Sequence, residues 1–116
     1  FHATDDKHIR TVLDYIRQHL ADDMTVKELV KLVPLSRRLL EIRFKEVTSQ
    51  SIHKYIFCLR MERFAQLLQD SDAPIAELAA QAGISDLKNL SRQFKALKGV
   101  TPNKFRKEFR TMPGWR

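Results

Sequence analysis

Residues 75–102 read IAELAAQAGISDLKNLSRQFKALKGVTP, and this stretch decides the fold. Apolar residues recur in it at spacings of three and four, which is the repeat of helices with one buried face. Gly83 is placed to end a first short helix, and Ser85 is a good N-cap for a second helix over about 85–98. Two helices joined by a short turn form the helix-turn-helix pattern.

The sequence on both sides of this stretch is also helical. Gly99 ends the second helix, and Thr101 followed by Pro102 is an N-cap with proline at the first helical position, which predicts a final short helix. Upstream, residues 52–69 contain no Gly or Pro and carry a long apolar face. We therefore expect one uninterrupted helix there, about 27 Å long.

The N-terminal part repeats the same organisation. An apolar stripe predicts a first helix over residues 6–20. The run Thr25-Val26-Lys27-Glu28 fits a capping box that opens a short second helix. Pro34 cannot continue that helix, and Ser36 is a good N-cap for the next one, over about 36–48.

These two halves align as an internal repeat. The run 26–29 matches 75–78 at an offset of 49, and one extra residue inside the second copy extends the match. The aligned pairs are Pro34 with Gly83, Ser36 with Ser85, Phe44 with Phe94, Ser51 with Thr101 and Tyr55 with Phe105. The sequence predicts an all-α fold of about seven helices, with two homeodomain-like helix-turn-helix lobes at 1–50 and 71–116 joined by a linker helix at 51–70.

Composition narrows the class of protein. Among 116 residues, 21 Lys and Arg against 14 Asp and Glu give a net charge of +7, which favours a polyanionic partner, with nucleic acid first. No apolar run approaches the roughly 20 residues that span a bilayer, so no membrane association is expected. The single cysteine, Cys58, allows no intrachain disulfide and favours a reducing cytoplasm. The start at Phe1, without Met, predicts a fragment of a longer chain.

Nothing in the sequence has the pattern of an enzyme. The four histidines are scattered without metal-ligand spacing, and no Gly-rich loop is present to cradle phosphates. Cys58 falls in the long apolar helix, where a structural thiol is the expected role. We predict no catalytic residue, no metal and no cofactor.

The second repeat predicts a surface that reads DNA. Opposite its buried stripe lie Lys88, Arg92 and Lys95, with Asn89 and Ser91 on the flanks. These side chains can donate to guanine, pair with adenine or hold phosphate. A solvated helix face is the alternative explanation for each basic residue.

The corresponding face in the first repeat is mixed. Arg38, Ile42 and Lys45 lie opposite the buried stripe, flanked by Glu41. Ile42 either touches a thymine methyl group or contacts a neighbouring helix. Arg43 is angled towards the core, so we expect a structural ion pair, with a glutamate as its partner.

A further set of residues is predicted to hold phosphate. Helix N-termini offer free N–H groups to anions, and exposed Lys and Arg add positive charge. The set comprises Ser36, Arg37, Lys45, Ser85, Lys95, Thr101, Lys104 and Arg106, with Lys107 and Arg110 in the same basic tail. Capping is the alternative role of the hydroxyl residues. Asp86 falls in the first turn of the predicted helix, where a carboxylate is favoured without any contact.

The second repeat also resembles a known family. The runs Gly83-Ile84-Ser85-Asp86, Asn89-Leu90-Ser91-Arg92-Gln93-Phe94-Lys95 and Gly99-Val100-Thr101-Pro102 are similar to the signature of AraC/XylS-type transcription regulators. The resemblance covers about 100 residues and implies two helix-turn-helix lobes joined by one long helix. It also implies sequence-specific binding to double-stranded DNA, with the two recognition helices in successive major grooves. The implied base contacts are Arg38, Glu41, Leu87, Lys88, Asn89, Ser91 and Arg92.

Departures from the family pattern, and the family's usual architecture, set further expectations. Ile84 and Asn89 stand where aromatic residues are common, and Ile42 replaces a frequent arginine of the recognition helix. The run 40–45 is similar to that of xylose-operon regulators, which implies sugar control. The family's effector-sensing domain is not in this chain, so a small-molecule effector is expected to act through that missing domain. The competing hypothesis is a basic helical module that docks on an acidic protein such as RNA polymerase.

Overall fold

The computed structural model describes residues 5–110, apart from the side chain of Arg110, and this range forms seven α-helices and no strand. They are α1 Lys7–Gln18, α2 Val26–Val30, α3 Arg37–Thr48, α4 Ile52–Asp70, α5 Ile75–Gln81, α6 Leu90–Lys98 and α7 Pro102–Arg110. The predicted all-α fold with two helix-turn-helix motifs is confirmed, with α2 and α3 as the first motif and α5 and α6 as the second.

The chain divides into two compact units, whose boundary lies between Leu59 and Arg60 in the middle of α4. The first half of α4 belongs to the core of the first unit, through Ile52, Tyr55 and Ile56. The second half belongs to the second unit. The linker helix that the sequence placed at 51–70 is therefore shared between the units, and each recognition helix packs on one half of it.

The first unit has a core built from four helices. Its side chains come from α1, α2, α3 and the start of α4, and those with no exposed surface are Ile9, Val12, Leu13, Ile16, Leu29, Leu40 and Phe44. The rings of Phe44 and Tyr55 meet edge to face at 5.3 Å between centroids. This packing fixes the inner face of α3 and turns its opposite face outwards.

An ion pair joins α3 to the start of α1. The Arg43 Nη2 and Nε atoms lie 2.7 and 2.8 Å from Asp6 Oδ2. Asp6 is also the N-cap of α1, where its Oδ1 accepts from the backbone N–H groups of His8 and Ile9. The predicted ion pair of Arg43 forms, but the expected glutamate partner was wrong, because the start of α1 brings Asp6 to 2.7 Å from the guanidinium.

These contacts change the acidity of Asp6. Burial by itself favours the neutral acid, but hydrogen bonds from Arg43 and the two N–H groups, together with the Arg43 charge, outweigh it. The pKa of Asp6 is therefore held below its ordinary value of 3.8. The first unit thus contains an ion pair between α1 and α3 whose strength depends on pH.

The core of the second unit includes three phenylalanines in contact. Phe94 of α6 meets Phe64 of α4 at 5.6 Å and Phe105 of α7 at 5.3 Å, both edge to face. The spacing of apolar residues predicts burial of Leu97, three residues after Phe94, but this side chain is 43% exposed. Position 97 faces outwards because α6 ends one residue later and packs through Leu90 and Phe94.

Candidate nucleic-acid interface

The recognition helix of the first unit begins where the sequence predicts. The Ser36 hydroxyl accepts from the backbone N–H of Leu39 at 3.1 Å, and α3 is regular from Arg37 onwards. Ser36 thus acts as the N-cap, which satisfies one of the free N–H groups at the helix start. The helix ends at Thr48, and its C-cap Ser49 takes the left-handed conformation with φ 63°. The backbone N–H of Ser49 donates to Lys45 O.

The outward face of α3 contains the three predicted base-reading residues of this unit, together with Lys45, a predicted phosphate contact. Arg38, Glu41, Ile42 and Lys45 are exposed, and Ile42 exposes 45% of its surface. Arg37 Nε donates to Glu41 Oε1 at 3.0 Å, an (i, i+4) pair on the helix surface. Ile42 is therefore an apolar side chain set between two cations, Arg38 and Lys45, on a solvent-facing surface.

The recognition helix of the second unit begins later than predicted. It starts at Leu90, five residues after Ser85, and its N-cap position is Asn89, which makes no side-chain cap hydrogen bond. The expected cap by Ser85 and the expected place of Asp86 in the first helical turn were both wrong. Phe94 stays in the core, and residues 84–89 before the helix are not helical.

This shift redistributes the predicted base contacts of the second unit. Leu87, Lys88 and Asn89 lie on the turn that precedes α6, where Leu90 N–H donates to Leu87 O at 3.4 Å. Ser91 and Arg92 lie in the first turn of α6 and are exposed. The candidate surface is therefore a turn followed by a helix start, not one helical face.

A polar network crosses that surface. Asn89 Nδ2 donates to Asp86 Oδ2 at 3.2 Å, and Arg92 Nη2 donates to Asn89 Oδ1 at 2.8 Å. The Asn89 amide thus links the Asp86 carboxylate to the Arg92 guanidinium. Asp86 also brings a negative charge close to an otherwise basic surface.

The predicted phosphate contacts have varied surroundings. Ser36 and Thr101 act as helix caps, the latter accepting from Lys104 N–H at 3.3 Å, whereas Ser85 is exposed and caps no helix. Lys45 and Lys95 are exposed, and Lys104 approaches Glu108 at 4.0 Å. The side chain of Arg110 lies outside the described residues.

Arg106 has an internal contact that the sequence did not reveal. Its Nη2 donates to the carbonyl of Ala73 at 2.6 Å, and its Nε is buried. This bond joins α7 to the segment before α5. A shallow groove beside it is lined by Asp72, Thr101, Asn103, Lys104, Arg106 and Lys107.

Two contacts within the site were not predicted from the sequence, namely Arg37 with Glu41 and Asp86 with Asn89. The (i, i+4) spacing of Arg37 and Glu41 signals their ion pair, so the sequence contains that information. The spacing of three residues from Asp86 to Asn89 and from Asn89 to Arg92 is also one at which helical side chains meet, so it contains a signal for that network too. In the described range, no group of three or more His, Cys, Asp or Glu could hold a metal ion, and no helix is long and apolar enough to cross a membrane.

Most of the chain is similar to proteins of a known family. The family described as "Helix-turn-helix domain" matches residues 29–108. The chain is 35% identical over 101 residues to the Msm operon regulatory protein of Streptococcus mutans, covering 87% of this chain and 36% of that protein. It is 32% identical over 103 residues to the multiple antibiotic resistance protein MarA of Escherichia coli, covering 89% of this chain and 81% of MarA.

The xylose operon regulatory protein of Escherichia coli is 28% identical over 106 residues, and the chain spans 27% of its length. Among solved structures, the C-terminal domain of the response regulator AraT from Geobacillus stearothermophilus has a TM-score of 0.83 at 27% identity, over 91% of this chain and 88% of that one. The DNA-binding domain of AdpA, solved in complex with a target DNA, has a TM-score of 0.82 at 24% identity, over 88% and 92%. The latter shows the shared fold.

The family match, the relatives and the paired helix-turn-helix motifs agree with one another. The function that they show is sequence-specific DNA binding in transcription regulation, without catalysis. This chain belongs to the AraC/XylS family of helix-turn-helix DNA-binding domains.

Proposed function

We propose that both units read bases in the major groove of double-stranded DNA, the first through the exposed face of α3 and the second through the turn before α6 and the start of that helix. The proposed base-reading residues are Arg38, Glu41 and Ile42 of the first unit and Leu87, Lys88, Asn89, Ser91 and Arg92 of the second. The observation that carries the proposal is their position. Equivalent places in a repeated unit, α3 and the start of α6, both expose side chains that can donate to guanine or contact thymine.

The proposed phosphate contacts surround these surfaces. They are Ser36, Arg37, Lys45, Ser85, Lys95, Thr101, Lys104 and Arg106. Lysine and arginine contacts of this kind fix orientation and supply salt-dependent affinity without selecting a sequence. Arg106 offers phosphate only part of its guanidinium, because Nη2 already donates to Ala73.

Successive major grooves are the proposed location of the two recognition helices. The uninterrupted 19 residues of α4 support this proposal, because a helix of that length is about 28 Å long and grooves on one side of B-DNA recur about every 34 Å. The AdpA domain, solved with its target DNA, has the same fold. One chain would then recognise a site that is not palindromic.

Four wider proposals concern the full-length protein. We place it in the bacterial cytoplasm, with a small-molecule effector bound to a separate domain and with RNA polymerase as a second partner. Control of a sugar operon is supported by the run 40–45 and by the xylose operon regulator among the relatives. Selection from random duplexes gives the DNA site that the chain prefers, and the genes beside copies of that site in the bacterial genome test this proposal. Genes with no sugar-handling product would contradict it.

The test of base reading begins with selection of binding sites from random duplexes. Affinity for the enriched site and for a scrambled duplex is then measured between 50 and 200 mM salt, where we expect a fall of roughly 10³- to 10⁵-fold if each unit makes several phosphate contacts. Arg92→Ala should cost about 1–3 kcal/mol on the selected site alone, whereas Lys107→Ala, an exposed groove residue, should weaken both duplexes alike. Equal losses for Arg92→Ala on both duplexes would remove Arg92 from the base-reading set.

A further inference from the structure

We infer that Asp86 and Asn89 are positioning residues that hold the Arg92 guanidinium in the orientation required to read a guanine. This inference rests on the proposed function and deepens it, because it names the base, and it replaces the proposed base contact of Asn89 by an indirect role. It also gives Asp86 a role, since the late start of α6 removes the helix-capping explanation.

The geometry defines a chain of two hydrogen bonds. Asp86 accepts from Asn89 Nδ2 at 3.2 Å, and Asn89 Oδ1 accepts from Arg92 Nη2 at 2.8 Å. The carboxylate fixes which way the amide faces, because Asp86 can only accept when ionised and therefore takes the NH₂ end. The oxygen end is left for the guanidinium.

The remaining protons of Arg92 suit one base. Nη2 carries two N–H groups, and the bond to Asn89 uses one of them. The other Nη2 proton and the Nη1 protons are left for two parallel bonds, which match the O6 and N7 acceptors of guanine in the major groove. Adenine presents a donor at the place of O6, so the same arginine pairs poorly with it.

Exposure explains why such support matters. Arg92 is exposed in the first turn of α6, where an unsupported arginine samples many rotamers. A side chain held before binding loses less entropy when it meets the base. The network therefore raises the preference for guanine without itself touching DNA.

The test uses the whole chain and the selected DNA site. The guanine read by Arg92 is first located as the one whose replacement by 7-deazaguanine, which lacks the N7 acceptor, weakens wild type but not Arg92→Ala. The preference for guanine over adenine at that position is then measured for Asn89→Ala and for the double variant Asn89→Ala/Arg92→Ala. Gln81→Ala is the matched control, since it also removes an exposed amide of the second unit.

We expect Asn89→Ala to lower the guanine preference about tenfold, as for the loss of one hydrogen bond to a charged group, and to leave affinity for a scrambled duplex unchanged. The double variant should bind no more weakly than Arg92→Ala. Asp86→Ala should lower the preference as well, while Asp86→Asn, which keeps an acceptor oxygen, should restore most of it. Gln81→Ala should match wild type.

Three results would overturn the inference. Additive losses in the double variant would show that Asn89 contacts a base directly, and an unchanged guanine preference in Asn89→Ala would show that the network does nothing on DNA. Equal loss on selected and scrambled duplexes would indicate a purely structural role. If no site is enriched at all, base reading itself fails and the inference with it, so the two failures are told apart.

Discussion

In the first unit the ring of Phe44 meets Tyr55 at 5.3 Å, and in the second unit Phe94 meets Phe105 at the same distance. The residues that cap the following helices also correspond. The Ser51 hydroxyl accepts from Lys54 N–H at 3.2 Å, and Thr101 accepts from Lys104 N–H at 3.3 Å. The two units therefore repeat both their ring packing and the cap that follows it.

The two recognition helices start differently. In the first unit the Ser36 hydroxyl caps a helix of 12 residues, whereas the equivalent Ser85 lies outside a helix of 9 residues. The extra residue of the second copy falls in this segment. The core residues of the two units correspond while the starts of these helices differ, so the two proposed base-reading surfaces are not alike.

The largest expected effect is on the repeated core. Phe44→Ala and Phe94→Ala should each lower the free energy of unfolding by about 3–5 kcal/mol, because both side chains are fully buried. The loss for Phe94 should be the larger, since its ring meets both Phe64 and Phe105. Urea unfolding followed by circular dichroism measures both, and a loss below about 1 kcal/mol in either would refute equivalent cores.

A smaller effect concerns the stability of the first unit, which depends on pH through Asp6. Asp6→Ala should cost about 1–2 kcal/mol at pH 7, because the cap and the Arg43 ion pair are both lost. Asp6→Asn keeps a capping oxygen and serves as the matched control for the charge.

The sign of the pH dependence follows from the lowered pKa of Asp6. Its stabilisation is complete above the ordinary value of 3.8 and is lost as the pH falls through the lower pKa of the folded protein. In the second unit Arg106 is held by a carbonyl, which does not titrate. Unfolding free energies between pH 5 and pH 2 should therefore fall less steeply in Asp6→Asn than in wild type, and identical slopes would contradict the assignment.

Ile42 offers a test at the scale of one methyl group. If it touches a thymine, replacing that thymine by deoxyuridine should cost about 0.8 kcal/mol, or roughly fourfold in affinity. Ile42→Ala should bind both duplexes equally, whereas Leu32→Ala, an exposed leucine outside α3, should keep the difference. If no such replacement changes the affinity of wild type, Ile42 would be assigned to a protein contact instead.

An effect of similar size concerns the C-terminal ends of the recognition helices. Ser49 and Gly99 occupy equivalent left-handed positions, with φ 63° and 83°. Ser49→Gly should raise the unfolding free energy by about 0.5–1 kcal/mol, and Gly99→Ala should lower it by about 1 kcal/mol. An added Cβ at Gly99 meets no atom within 4 Å, so backbone strain alone is tested. Thermal melting that shows no change in either variant would contradict this equivalence.

Local rules of sequence predicted most of the fold. The caps predicted at Ser36 and Thr101 are confirmed, and so is the burial of Phe44 and Phe94 that the spacing of apolar residues predicts. The start of α6 was not predictable in this way, because Ser85 is as good a cap as Ser36 and only tertiary packing shows which residue begins the helix. The Asp86 network was missed for a different reason, because Asp86 was explained by its expected place in the first helical turn, although its spacing of three residues from Asn89 favours a contact.

The central claim is that each unit reads its own part of the DNA site. The most direct measurement is site selection from random duplexes, run in parallel with wild type, with an Arg38→Ala/Ile42→Ala variant of the first unit and with an Arg92→Ala variant of the second. The account predicts two unlike elements for wild type, with each variant losing base preference in one element and keeping it in the other. Loss of preference in the same element by both variants, or in neither, would contradict it.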